Sequence, residues 1–155
     1  MLNAPNRKII LAVDDMSMNL RTIKVCLEKS FDVRLAKSGE LALSVLKTTR
    51  VDLILLDIEM PDMSGFEVLE FIKKLPELKD IPVIFVTSHV STELITKALR
   101  SGARDYVMKP FEPEVLLRKV YAALNGVDVK NVFISKDGKC FIVPPTDTPA
   151  VSVAE

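Results

Sequence analysis

"IILAVDD", residues Ile9 to Asp15, decides how the rest of the chain is read. Five apolar residues run without interruption into two adjacent carboxylates. A short apolar run reads as a strand buried on both faces, the kind found in parallel sheets covered by helices. Asp is a poor strand former, and like charges side by side repel. Either the tip of this strand lies in water, or something positive belongs there.

The stretches that follow repeat the theme. Leu20, Ile23 and Leu27 recur at helical spacing, with Ser17 or Asn19 as the expected N-cap. "FDVRLA" (Phe31 to Ala36) alternates apolar and polar residues, as a half-buried strand at a sheet edge would. Ser38 and Gly39 open a second helix through Leu41, Ala42, Val45 and Leu46. In "LILLDIEMP" the apolar run Leu53 to Leu56 ends in Asp57. Ser64 caps a third helix carrying Val68, Leu69, Ile72 and Leu75. Val83 to Val86 is a fourth strand, ending in Thr87. A fourth helix uses Leu94, Ile95, Ala98 and Leu99, and Gly102 suits its C-terminal left-handed position. "DYVMKP" supplies a short fifth strand ending near Lys109, and Pro113 opens a last helix with Leu116, Val120 and Leu124. Strand and helix alternate five times. That order implies right-handed crossovers and an α/β fold: a flavodoxin-like, doubly wound (βα)5 sandwich on a five-stranded parallel sheet. Ligands of such sheets bind outside the carboxyl ends of the strands. Asp14, Asp15, Asp57, Thr87 and Lys109 all fall at those ends.

Composition sets the outer limits. A chain of 155 residues is by default one domain and has enough surface to bury for a core without staples. Its 21 basic and 21 acidic residues cancel, which argues against direct nucleic-acid binding through bulk charge. Cys26 and Cys140 match no metal spacing and read as free thiols of a reducing compartment. No apolar run approaches the ~20 residues of a membrane span, and the polar start "MLNAPNRK" lacks signal-peptide features. A cytoplasmic protein without membrane association is expected.

Three carboxylates at one rim repel unless a cation sits among them. The donors are oxygens alone, so a hard cation fits, and Mg²⁺ would keep a position open for a phosphate oxygen. Lys109 adds an ammonium and Thr87 a hydroxyl donor. Such a site suits a phosphoryl group in transfer. Asp57, ending a fully apolar strand, is the best fixed of the carboxylates and the candidate nucleophile. Taken singly, Asp14 and Asp15 read as a capping loop, Thr87 as a loop hydroxyl, Lys109 as a solvated charge and Tyr106 as a half-buried core aromatic. His89 reads as a solvent-facing loop residue. Met16, Met18, Met60 and Met63 read as packing and partner contact, and "MPDMSG" (Met60 to Gly65) as a turn that shapes the rim.

"VDD" (Val13 to Asp15), "LILLDIEMPDMSGFEVL" (Leu53 to Leu69), "VIFVTS" (Val83 to Ser88) and "GARDYVMKPF" (Gly102 to Phe111), in this order, resemble the receiver domain of two-component response regulators, the CheY-like superfamily. The resemblance runs from about Lys8 to Asn125. It implies a phosphoacceptor, Asp57, loaded in a Mg²⁺-dependent reaction by a sensor histidine kinase or phosphotransfer protein. It implies that Asp15 binds Mg²⁺ directly, that Asp14 assists through water, and that the backbone carbonyl of Glu59 completes the set with Asp57. It gives Thr87 and Lys109 the phosphoryl oxygens, and makes Tyr106 an aromatic switch that turns inward as Thr87 moves. The Lys109–Pro110 bond is usually cis in the family, which would aim Lys109 at the site. Phosphorylation would then remodel the surface of the fourth helix, fifth strand and fifth helix, which controls an output domain or partner. Such a protein assists only its own phosphorylation and dephosphorylation, and is not an enzyme on other substrates. Ser88, where Ala or Gly is more usual, departs from the pattern; Glu59 and His89 occupy positions that tune dephosphorylation in the family.

Two other readings compete. A receiver-like adaptor used only for docking would have no need of Asp14, Asp15, Asp57, Thr87 and Lys109 together. A flavodoxin-type cofactor binder would want a Gly- and Ser/Thr-rich first loop, and an Asp-x-Asp phosphatase a second Asp where Glu59 stands.

The receiver resemblance covers residues 1–125 as a domain and leaves 126–155 as an extension. "VFISKDGKCFIV" (Val132 to Val143) reads as a β-hairpin turning at Asp137-Gly138. A lone hairpin is marginal in water. Three options follow: it packs on the receiver, pairs with a second copy in a homodimer, or begins an output domain. "PPTDTPAVSVAE" from Pro144 reads as a linker or a disordered end.

Overall fold

A computed structural model describes residues 7–144 of the chain. The start of "MLNAPNRK" and the linker expected from Pro144 onward lie, apart from Arg7, Lys8 and Pro144 itself, outside the described residues.

Five strands, β1 (Ile9–Val13), β2 (Asp32–Ala36), β3 (Leu53–Leu56), β4 (Val83–Thr87) and β5 (Asp105–Met108), form one parallel sheet in the order β2-β1-β3-β4-β5. Helices α1 (Ser17–Leu27), α2 (Gly39–Thr48), α3 (Gly65–Lys74), α4 (Thr92–Arg100) and α5 (Pro113–Asn125) follow the strands in turn. β1 and β3 read as unbroken apolar runs because helices cover both faces. Leu11, Val13, Ile54, Leu56, Val83 and Phe85 face one core with Ala42, Val68, Leu69 and Ile72 of α2 and α3. Ile10, Ala12, Leu53, Leu55, Ile84 and Val86 face the other, with Leu20, Ile23 and Leu27 of α1 and Leu116 and Val120 of α5. Each of the Leu, Ile, Val and Phe side chains among them, removed wholly from water, contributes about 1.5–3 kcal/mol before entropy is counted.

The expected edge strand, β2, is at the edge, but its alternation is imperfect. Val33 and Ala36 are buried while Leu35 is exposed. An edge strand has one open side, so packing overrides the strict period of two.

The helix starts follow their caps. The Ser38 hydroxyl accepts from Leu41 N–H, and Ser64 forms a reciprocal capping box with Glu67. The Ser91 hydroxyl accepts from Leu94 N–H at the start of α4. α1 differs from expectation. Its N-cap is Met16, and neither Ser17 nor Asn19 caps it. The Asp14 carboxylate instead accepts from Met16 N–H at 2.9 Å and from the Asn19 side-chain amide at 3.1 Å. α1 thus begins without a side-chain cap, and the loop carboxylate ties its first turn to the rim instead.

α3 sits unusually close to the tip of β3. Gly65 N–H donates to Ile58 C=O at 2.8 Å, and a Cβ at Gly65 would lie 2.3 Å from Asp57 O and 2.9 Å from Ile58 Cα. Only glycine permits that approach, which fixes the loop carrying Asp57.

Beyond α5, Gly126 ends the helix in the left-handed conformation (φ 65°). A 3-10 turn (Val129–Asn131) then leads to the antiparallel pair β6 (Val132–Ile134) and β7 (Cys140–Ile142). Gly138 N–H donates to Ser135 C=O, so Lys136 and Asp137 are the central turn residues and Gly138 (φ 86°) follows them. Of the three options for the hairpin, packing on the receiver is observed. Val132 is fully buried, and the Arg118 guanidinium of α5 donates to Val132 C=O (3.0 Å) and Val129 C=O (3.2 Å). No helix among the described residues is long and apolar enough to cross a membrane.

Replacing Gly65 by Ala should lower stability by about 1–3 kcal/mol through forced backbone displacement, read as a lower urea midpoint with an unchanged denaturant slope. A midpoint equal to the parent's would mean the α3–β3 approach is not tight.

Candidate functional site

The register of the sheet builds the site. Val13 pairs with Leu56, and Asp57 N–H donates to Val13 C=O at 2.9 Å, so the carboxylates after β1 and β3 emerge side by side. Thr87 pairs with Met108, and Lys109 N–H donates to Thr87 C=O at 2.8 Å, which brings Lys109 to the same rim from β5.

Asp14, Asp15 and Asp57 each present a carboxylate oxygen, and the three oxygens lie within 4.8 Å of one another. Asp14 and Asp57 are 1% and 5% exposed. The Lys109 ammonium, itself largely buried, donates to Asp14 at 2.9 Å and stands 3.6 Å from Asp57. One cation therefore serves three anions, and the cluster keeps an excess of negative charge. The Asp57 carboxyl registers it. Burial first, and the Asp14 charge second, push its pKa up to about 6, with Lys109 and the Glu59 N–H only partly opposing them. An all-oxygen donor set carrying uncompensated charge fits a hard divalent cation.

Beside the cluster opens a cavity of about 540 Å³, lined by Asp15, Asp57, Glu59 and Lys109 together with Met16, Asn19, Thr22, Ser88 and Phe111. Asp57 thus borders solvent-accessible space even though the residue is buried. Met16 and Met18 are exposed beside it, whereas Met60 and Met63 pack against the core.

The remaining expected residues are placed less centrally. Thr87 is buried at the end of β4, and its Oγ accepts from His89 N–H at 3.2 Å, leaving its own proton free to donate. Ser88, not Thr87, lines the cavity. The Glu59 side chain points away to His89, 3.7 Å distant, both well exposed. Tyr106 is half-buried and packs on the core that contains Phe85. Lys119 of α5 lies 4.6 Å over its ring and donates to its backbone carbonyl at 2.6 Å, while bridging Asp105 at 3.2 Å. The Lys109–Pro110 peptide bond is cis. Asn19 went unrecognised as a site residue in the sequence. Its position five residues after Asp14, in the first turn of the following helix, is the signal that it could reach back.

Known proteins agree with this geometry. Residues 10–121 match the family model described as the response regulator receiver domain. The chain is 37% identical over 128 residues to a probable cyclic di-GMP phosphodiesterase of Vibrio cholerae, a match spanning 83% of this chain and 29% of that protein. It is 39% identical over 111 residues to a two-component response regulator of Oryza sativa subsp. indica, covering 70% of this chain and 85% of the relative. The crystal structure of a CheY-like receiver domain protein from Methanospirillum hungatei superposes with a TM-score of 0.72 at 35% identity, covering 78% of this chain and 96% of that one. The chain therefore spans less than a third of the Vibrio relative's length. A five-stranded sheet in the order 2-1-3-4-5, with three clustered carboxylates and a lysine at its carboxyl rim, belongs with these matches: the chain is a member of the response regulator receiver domain family of two-component systems.

Proposed function

We propose that Asp57 is the phosphoacceptor of this receiver and that the loaded state redirects the surface of α4, β5 and α5 toward an output domain or protein partner. The observation that carries the reading is the convergence of Asp14, Asp15 and Asp57 on one another with Lys109 at 2.9 and 3.6 Å. A carboxylate oxygen of Asp57 attacks phosphorus. The new P–O bond forms as the bond to the donor breaks, and the leaving group, an imidazole nitrogen of a histidine kinase or phosphotransfer protein, keeps the electron pair. Asp15, Asp57 and the Glu59 carbonyl would hold Mg²⁺, with Asp14 assisting through water, and the ion would supply charge neutralisation at the phosphoryl oxygens. Lys109 exchanges Asp14 for a phosphoryl oxygen. Thr87 donates its free hydroxyl proton to another, and Tyr106 follows it inward. The protein acts on itself and on no other substrate. Its setting is the cytoplasm, where the kinase domains of two-component systems work.

We further propose that residues 1–125 are the receiver unit and 126–155 an extension of it. Packing of Val132 on α5 supports an extension that reads the receiver's state rather than a separate domain.

Incubation with Mg²⁺ and acetyl phosphate should make the intact protein heavier by one phosphoryl group, and neither Asp57→Asn nor a magnesium-free sample should gain it. A folded protein that gains no mass and shows no beryllofluoride-induced shift at Asp57 would instead mark a docking-only adaptor.

The raised pKa of Asp57 has a stability consequence. The folded state holds its proton up to about pH 6, whereas the unfolded chain loses it near 3.8. Stability is therefore fully present below the unfolded value and is lost as pH rises through 6. In metal-free protein, Asp57→Asn should add on the order of 1–3 kcal/mol at pH 7, a gain that fades toward pH 4. Thermal melts across pH in a chelator read it directly, and Mg²⁺ should narrow the difference by restabilising the parent.

A further inference from the structure

The hairpin β6–β7 is held to α5 by one face and one edge, and among the described residues nothing covers its other face and other edge. Ser135 N–H bonds Lys139 C=O, and Val143 N–H bonds Asn131 C=O, both at 2.8 Å. Hydrogen-bonded pairs alternate along an antiparallel ladder, so Phe133 and Phe141 form the bonded pair between them. The backbone groups of Val132, Ile134, Cys140 and Ile142 must then point outward. On the β6 side this holds, since Val132 C=O accepts from Arg118. On the β7 side, the N–H and C=O of Cys140 and Ile142 meet no partner among the described residues.

The side chains divide in the same way. Val132 faces α5 and is fully buried, while Phe133 and Phe141, cross-strand partners on the opposite face, are 51% and 53% exposed. Val143, beside them, is exposed too. Proteins guard free edges with charges, proline or a covering element. Cys140, Phe141 and Ile142 carry neither charge nor proline and no element among the described residues covers them, and a two-stranded ribbon alone is marginal.

We propose that β7 is an interaction edge that pairs antiparallel with β7 of a second copy of this chain, about a two-fold axis at Phe141. Centred there, the edge pairs with its own copy through both outward residues of each strand. Cys140 meets Ile142 of the second copy and Ile142 meets its Cys140, so each outward N–H faces an outward C=O and four hydrogen bonds close. Phe141 lies directly opposite its own counterpart and extends the Phe133–Phe141 pair into a row of four rings across a four-stranded sheet. Charge fits as well. Lys139 falls opposite Val143 of the second copy, and Asp137 of its own turn lies 3.9 Å from its ammonium, so like charges do not face each other. Pro144, lacking an N–H, ends the ladder after two residue pairs. So short a seam makes a weak, concentration-dependent dimer. The inference does not rest on phosphoryl chemistry.

The test is a charge exchange at the axis. Phe141→Lys and Phe141→Glu each place two like charges face to face at a half-exposed position outside the core, and circular-dichroism melts confirm that each variant folds. Sedimentation velocity over a concentration series should show a dimer for the parent, weakened about tenfold or more in either variant, and restored when the two variants are mixed. Three results would overturn the proposal. A parent monomeric at every concentration would leave the edge without a second copy. A dimer indifferent to both variants would place the contact elsewhere. Loss in both variants without rescue on mixing would move the axis off Phe141.

Discussion

Lys109 bonds Asp14 and stands within 4 Å of Asp57, and the rest of the fold is arranged around keeping these three side chains together. Buried carboxylates repel, and one buried ammonium among three of them does not balance the charge. The arrangement persists because each group is anchored by backbone. Asp57 follows a strand buried on both faces, and Gly65 lets α3 close against its carbonyl. Asp14 is pinned by Met16 N–H and Asn19. The hydrophobic cores on both sides of the sheet supply the stability that the rim spends.

The cluster therefore carries stored repulsion. A site already short of positive charge gains most from a cation, and these three carboxylates are able to hold one. Lys109, held now by Asp14, has a second anion within reach of a small movement. Lys119 joins the Tyr106 ring and carbonyl to Asp105 and so ties β5 to α5. Arg118, the next residue on α5, holds the hairpin. The aromatic residue and the extension thus share one helix as a common support.

The five strand–helix units were legible because period and punctuation agreed. Leu53–Leu56 and Ile9–Val13 are too apolar and too short for anything but central strands, and Ser38, Ser64 and Pro113 mark helix starts by their own chemistry. The start of α1 was misread. Ser17 and Asn19 are ordinary capping residues, but Met16 holds the N-cap position without a side-chain cap, and Asn19 turns its amide to the Asp14 carboxylate. Leu35 was expected inside and lies outside, since an edge strand has no neighbour to enforce alternation on its open side.

The sequence by itself determined the fold class, the residue types at the strand ends and the hairpin, because these depend on local periodicity and turn chemistry. Strand order alone decided that Asp14 and Asp57 are neighbours, since they are 43 positions apart and only the pairing of β1 with β3 joins them. Tertiary structure also decided which acid Lys109 holds, that Ser88 rather than Thr87 lines the cavity, and that the hairpin rests on α5 with its aromatic face outward. Each of these is a contact between distant segments. Its energy comes from burial and charge in three dimensions, which no local pattern encodes.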